Sequence, residues 1–314
     1  MNQPNFTVAP SYFSTPQDPS PPSWTSRVLI PAVVLSFCFI LGVPGNIAVI
    51  LLKPNWQKMS SLSRQLMCNL AVSDLLCLMT LPPWIYNLIY SWPFGMGICK
   101  LLTGLAYCSV YGSMLTVTAV SVQRYVVVVH RRNCKQVPGR LILVLLWLVA
   151  VLISIPSLVV RRLVTDQKVT YCRPENSSDA QRVALLLIEA TVGLASISLV
   201  AFAYVSIQRR VSQGALFKNH QTTQIVTSII ACFFVLWVPY QALNLLGVAA
   251  ICLKNDFLLK FCKTTWNITG ALAFVNSCIN PLLYAFCIIC LKKHHGQQDS
   301  INPQTPDISA SATS

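Results

Sequence analysis

One carboxylate, Asp74, stands in the run NLAVSDLLCL, and residues 65–99 hold no other charge. In surroundings that apolar, a carboxylate must be paired, hydrogen-bonded or protonated, because an isolated charge there is expensive. Other apolar runs carry polar residues at compatible depth: Asn46, Ser113, Asn276, Ser277 and Asn280. None of these runs places a cation there. One carboxylate among hydroxyls and amides is a hard-oxygen set, so a sodium ion held by Asp74, Ser113, Asn276, Ser277 and Asn280 is one expectation. A protonated Asp74 inside an interhelical hydrogen-bond network is the other, and the residue types leave both open. A second isolated charge is Arg124, which follows 23 uncharged residues (101–123) and is flanked by Gln123 and Tyr125. All four histidines (130, 220, 294 and 295) lie at or beyond the ends of the apolar runs, so no histidine base or metal site forms within them. That argues against an enzyme.

The elements that position these residues follow from charge spacing. Only 10% of the 314 residues are charged, against about a quarter in a soluble domain. Arg27 and Lys53 bound 25 uncharged residues, Lys100 and Arg124 bound 23, and Arg140 and Arg161 bound 20. Residues 65–99 and 183–208 hold one charge each, Asp74 and Glu189, while 221–253 and 264–291 hold none. A membrane-crossing helix needs about 20 apolar residues. The pattern therefore predicts an all-α membrane protein, a bundle of seven transmembrane helices. Pro44, Pro82, Pro156, Pro239 and Pro281 fall inside these runs, where each removes a backbone hydrogen bond and kinks or breaks a helix.

Residues 1–26 contain six prolines and no apolar core, so they read as a disordered extracellular segment and not as a signal peptide. Asn5 and Asn176 open sequons for N-glycosylation, which would put both outside the cell. Thirteen Lys and Arg fall on the side thus assigned to the cytoplasm and 10 on the other, a mild positive-inside bias. The +14 net charge is spread over short loops, so topology and anionic lipid explain it better than nucleic acid does. Cys99, Cys172, Cys252 and Cys262 lie on the outer side, where disulfides persist. Three pairings are open to four cysteines; closure of the nearest pair favours Cys252–Cys262, leaving Cys99–Cys172. The bundle spans 27–287, followed by AFCIICLKKHH, from which a short cytoplasmic amphipathic helix is expected over 288–296 with Cys287 and Cys290 as palmitoylation candidates. A polar tail, 297–314, follows, with serines and threonines open to phosphorylation.

Several short motifs occur together: GN at 45–46, NLAVSD at 69–74, Cys99, QRY at 123–125, Trp147, WVP at 237–239 and NPLLY at 280–284. Jointly they resemble the rhodopsin-like (class A) G-protein-coupled receptors, across all seven spans. The resemblance implies that Arg124, with Gln123 and Tyr125, belongs to the coupling end that meets a heterotrimeric G protein. It also implies that Trp237, Pro239, Asn280, Pro281 and Tyr284 take part in activation. Two departures stand out. The family usually has an acid where Gln123 stands, so a weaker restraint on Arg124 and raised basal activity are expected. Span 5 carries Ser196 in place of the family's proline.

TLP at 80–82 and WPFG at 92–95 are similar to chemoattractant-type receptors, and PSLVVR at 156–161 with Arg182, Glu189 and Tyr111 resembles the leukotriene B4 receptors. That resemblance suggests an inhibitory Gα and a location in the plasma membrane. Arg161 ends span 4 and Arg182 begins span 5, so guanidinium groups are expected to flank one cavity mouth. Their planar forks suit a carboxylate, and a carboxylated lipid such as leukotriene B4 is the expected small-molecule ligand. Tyr107 and Tyr111, at i and i+4, share a face and line it with Glu189; an ion pair with Arg182 is the competing role for Glu189. Two other functions fit the same fold: a chemoattractant peptide receptor, and a scavenger that binds without signalling.

Overall fold

The computed structural model describes residues 28–52, 60–131, 138–166, 169–212 and 220–301. The expected disordered segment 1–26, with Asn5, lies outside them, as does most of the tail. Eight helices and one hairpin follow in order: α1 (Ile30–Leu52), α2 (Ser61–Met79), α3 (Leu81–Ile89), α4 (Gly95–Val129), α5 (Gly139–Val159), β1 (Arg161–Asp166), β2 (Val169–Pro174), α6 (Asp179–Ser212), α7 (His220–Cys252) and α8 (Asp256–Ile301).

The prolines act in two ways. Pro44, Pro156, Pro239 and Pro281 are carried inside helices, whereas Pro82 sits in the first turn of α3, where a missing N–H costs nothing. Span 2 is thus two helices joined at Thr80, whose hydroxyl donates to the Cys77 carbonyl at 2.6 Å. Counting α2 and α3 as one, six helices among the described residues are long and apolar enough to cross a membrane. The seventh span, 264–291, lies within α8. That helix continues without interruption to Ile301, so residues 288–296 are helical in direct extension of the span.

Lipid is the solvent for much of the surface. Phe37, Leu51, Leu152 and Val235 are all more than half exposed, which a soluble protein would not tolerate in such number. The interior is built around Leu66, Leu70, Met114, Val117, Phe233 and Trp237. A second apolar cluster joins α1, α2, α3 and α8 through Leu35, Cys38, Leu78, Leu81 and Cys278. Close approach there depends on Gly42: a Cβ added to it would lie 2.9 Å from the Cys278 Cβ.

The strands β1 and β2 pair antiparallel, with Leu163 opposite Cys172. Three ties hold the hairpin to the bundle. Cys172 is disulfide-bonded to Cys99, its N–H donates to Asn87 Oδ1 at 3.0 Å, and the Trp92 N–H donates to the Thr170 carbonyl at 2.6 Å. The expected Cys252–Cys262 bridge is not formed, and both cysteines are free. Cys252 ends α7 and is exposed, while Cys262 lies two turns into α8 and is buried. Nearness in sequence was the wrong guide, because the helix start between them turns the two side chains to different surroundings.

Candidate functional site

Three polar centres lie along the bundle axis. At the hairpin end, Arg161 is the first residue of β1, two residues beyond the end of α5, and its side chain is largely buried. Its guanidinium lies 5.2 Å from the centroid of the Trp84 ring, and Nη1 donates to the Cys172 carbonyl at 3.4 Å. The Tyr107 oxygen accepts a further side-chain hydrogen bond from it. Nε is buried and has no partner. Burial lowers this guanidinium from its ordinary value, while the oxygens of Tyr107 and Glu189 work against that shift. A group so basic stays charged.

Glu189, from α6, faces the same centre and accepts a 2.8 Å hydrogen bond from the Tyr240 hydroxyl. Tyr240 in turn packs against Trp237 and Trp266, with ring centroids 5.9 and 5.7 Å away. Tyr107 and Tyr111 lie side by side on α4, 6.2 Å between centroids. The structure therefore brings Arg161, Tyr107, Tyr111 and Glu189 together. Arg182 is placed differently: it is half-buried and its charge is felt by the Cys262 thiol at the start of α8. Trp84, Asn87 and Tyr240 carried no signal in the sequence, because an uncharged aromatic or amide in an apolar run reads as packing.

Mid-bundle, Asp74 is fully buried. Ser113 Oγ donates to Oδ1 at 2.6 Å and Asn280 Nδ2 to Oδ2 at 2.7 Å, with Ser277 beside the same carboxylate. Asn276 is buried close by in α8. Asn46 reaches the backbone instead, donating to the Gly42 and Ser277 carbonyls at 2.9 and 3.0 Å. One turn before Asp74, Asn69 links three helices: Nδ2 donates to Thr116 Oγ1 at 2.7 Å, and Oδ1 accepts from the Trp147 indole at 2.8 Å. Of the residues in the sodium expectation, Ser113, Ser277 and Asn280 meet the Asp74 carboxylate, while Asn276 is buried one residue from Ser277 on the same helix.

At the Arg124 end, Gln123 is buried and turned towards the start of α2. Its Nε2 donates to Ser60 Oγ at 3.1 Å and to Ser63 Oγ at 2.9 Å, and Oε1 accepts from the Ser63 hydroxyl at 3.2 Å. Ser60 is at the same time the N-cap of α2, accepting the Ser63 N–H at 3.2 Å. Arg124 is half-buried one residue on. Tyr125 packs with ring centroids 5.2 Å apart, tilted against Phe202 of α6 and edge-on to His130, whose ring nitrogen lies 3.2 Å from its hydroxyl. Trp237 and Pro281 are buried, the latter against Gly45, where an added Cβ would lie 2.8 Å from the Pro281 Cβ. Pro239 and Tyr284 lie on α7 and α8; the side chains of Tyr284, Cys287 and Cys290 are outside the described set.

A bundle with this polar axis defines a membrane receptor of seven spans. Residues 45–284 match the family described as 7 transmembrane receptor (rhodopsin family), and the chain belongs to it. It is 29% identical to C-C chemokine receptor type 8 of Mus musculus over 311 residues, covering 93% of this chain and 86% of that one. It is 30% identical to type-1 angiotensin II receptor A of Xenopus laevis over 282 residues, 83% and 77% of the two chains. Atypical chemokine receptor 3 of Homo sapiens is 27% identical over 283 residues, 85% and 78%. These relatives are receptors and not enzymes, and the chain is a multi-pass membrane protein.

Proposed function

We propose that this chain is a plasma-membrane G-protein-coupled receptor whose ligand is an extracellular carboxylated lipid mediator of the leukotriene B4 type. Arg161 carries the reading. A guanidinium held by Trp84, Tyr107 and the Cys172 carbonyl, with a buried Nε left without an acceptor, has one donor in reserve for a carboxylate. The neighbouring aromatic rings supply the apolar wall that an acyl chain needs. Glu189, across the same space, accepts hydroxyl hydrogen bonds, which favours an oxygenated fatty acid over a plain one.

The hairpin side is then extracellular. The Cys99–Cys172 disulfide supports this, since such bonds persist in oxidising compartments, and so does the surplus of bases at the Arg124 end. With that orientation Arg124 and Tyr125 face the cytoplasm and a heterotrimeric, inhibitory G protein. Residues 288–296 form the cytoplasmic amphipathic stretch, and kinase and arrestin act on the tail. Asp74, Ser113, Asn276, Ser277 and Asn280 are the set that would hold an allosteric sodium ion.

The names of the relatives favour a second reading. Chemokine, angiotensin II and anaphylatoxin receptors are all similar to this chain, and a peptide would engage the hairpin and residues 1–26 before reaching Arg161. The atypical chemokine receptor among them gives a scavenger role its support. The test is G-protein dissociation in cells expressing the chain, with oxygenated fatty acids and with chemoattractant peptides. The lipid reading requires a response to a free acid that its methyl ester does not give and that Arg161→Ala abolishes. A response to peptides alone, surviving Arg161→Ala and lost on removing residues 1–26, overturns it.

A further inference from the structure

Two thiols, Cys38 of α1 and Cys278 of α8, lie in the second apolar cluster, and a third, Cys77 of α2, is buried near Cys38. Cys77 borders the Asp74 centre through Ser277, whereas Cys38 and Cys278 meet each other. Two are in direct contact: the Cys278 thiol donates to Cys38 Sγ at 3.7 Å, with the Val275 carbonyl as a second acceptor at 3.2 Å. The contact is possible because Gly42, one turn beyond Cys38, lets α8 approach α1 at Cys278.

We propose that Cys38 and Cys278 are a paired redox site, oxidised to a disulfide that staples α1 to α8 inside the membrane. Bringing two sulfurs from 3.7 Å to a bond length of about 2 Å requires side-chain rotation only when the helices already touch. They do so here. The oxidant is a lipid-soluble organic hydroperoxide, because the walls are Leu35, Leu78, Leu81 and Ala271 and the outer face of α1 (Phe37, Ile40, Leu41) is open to lipid. One sulfur attacks the hydroperoxide as its proton passes to the departing oxygen; the O–O bond breaks, the alcohol leaves and a sulfenic acid remains. The second thiol displaces water from that sulfur and forms the S–S bond. Two thiols lose two protons and two electrons, and the hydroperoxide is reduced to alcohol and water.

A sealed thiol pair reacts only as often as its interface opens. The modification is therefore slow in the resting bundle and faster when α8 moves. Once formed, the bond lies one residue from Ser277 and two from Asn280, so it fixes against α1 the stretch of α8 that holds Asp74.

The test uses full-length receptor in membranes treated with cumene hydroperoxide, then blocked with N-ethylmaleimide, digested without reduction and read by mass spectrometry. A peptide pair joining Cys38 to Cys278, dissolved by dithiothreitol and absent in Cys38→Ala, is expected. Hydrogen peroxide at equal concentration is expected to give several-fold less. Recovery of both cysteines alkylated after denaturation, or of Cys278 joined to Cys77, overturns the proposal. Cys278→Ser, read alongside, keeps the result interpretable if Cys38→Ala reaches the surface poorly.

Discussion

The two ends of the bundle restrain themselves by different physics. At the hairpin end the ties are covalent and charged: Cys99–Cys172, Arg161 over Trp84, and Glu189 under the Tyr240 hydroxyl. At the other end, Gln123 is held to Ser60 and Ser63 by neutral hydrogen bonds alone. A net neutral hydrogen bond contributes about 0.5–1.5 kcal/mol, whereas removing one partner of a buried charged contact costs about 2–5 kcal/mol. One end is built to hold a geometry, and the other is built so that its contacts exchange readily.

The comparison breaks most visibly at Arg161. Arg161→Ala is expected to raise the acid concentration for half-maximal G-protein dissociation by at least about 100-fold, within the 2–5 kcal/mol range for a truncated buried charge. Arg161→Lys keeps the charge and loses the fork, so a shift of about tenfold is expected. Equal potency of the lysine variant and the parent would show that the fork is not used. Gln123→Leu leaves the Ser60 and Ser63 hydroxyls without their amide. Thermal unfolding in detergent should register a loss of about 1–3 kcal/mol, with ligand affinity unchanged. Gln123→Asp restores an acid beside Arg124, and basal signalling should fall about two- to fivefold, as an ion pair worth up to about 1 kcal/mol allows; unchanged basal output would count against any restraint of Arg124 from this position. His130→Ala, at an exposed helix end, should move stability by no more than about 0.5 kcal/mol.

Legibility in the sequence followed charge. The spans, Asp74 with Ser113 and Asn280, and the gathering of Arg161 with Glu189 were readable because each is a polar event in an apolar run, where every such residue needs a reason. Arg182 was readable as a base at a helix start, yet its position relative to Arg161 depends on how α6 is rotated, which spacing does not give. Tyr240 and Trp84 were silent for the opposite reason, since aromatic residues are ordinary in spans. Ser60 and Ser63 lie some sixty residues from Gln123, and no local pattern links them. The cysteines misled once: Cys252 and Cys262 looked paired and are free.

Ser60 satisfies the Ser63 N–H with its side chain and the Arg64 N–H with its carbonyl at 3.1 Å, and the same hydroxyl accepts from Gln123. The first turn of α2 and the Arg124 end of α4 are therefore expected to open together in hydrogen exchange. When α4 shifts enough to withdraw Gln123, Ser60 loses part of what orients its hydroxyl and the turn frays. The backbone amides of Ser63 and Arg64 should exchange faster in that state, so a shift of α4 is read out on α2.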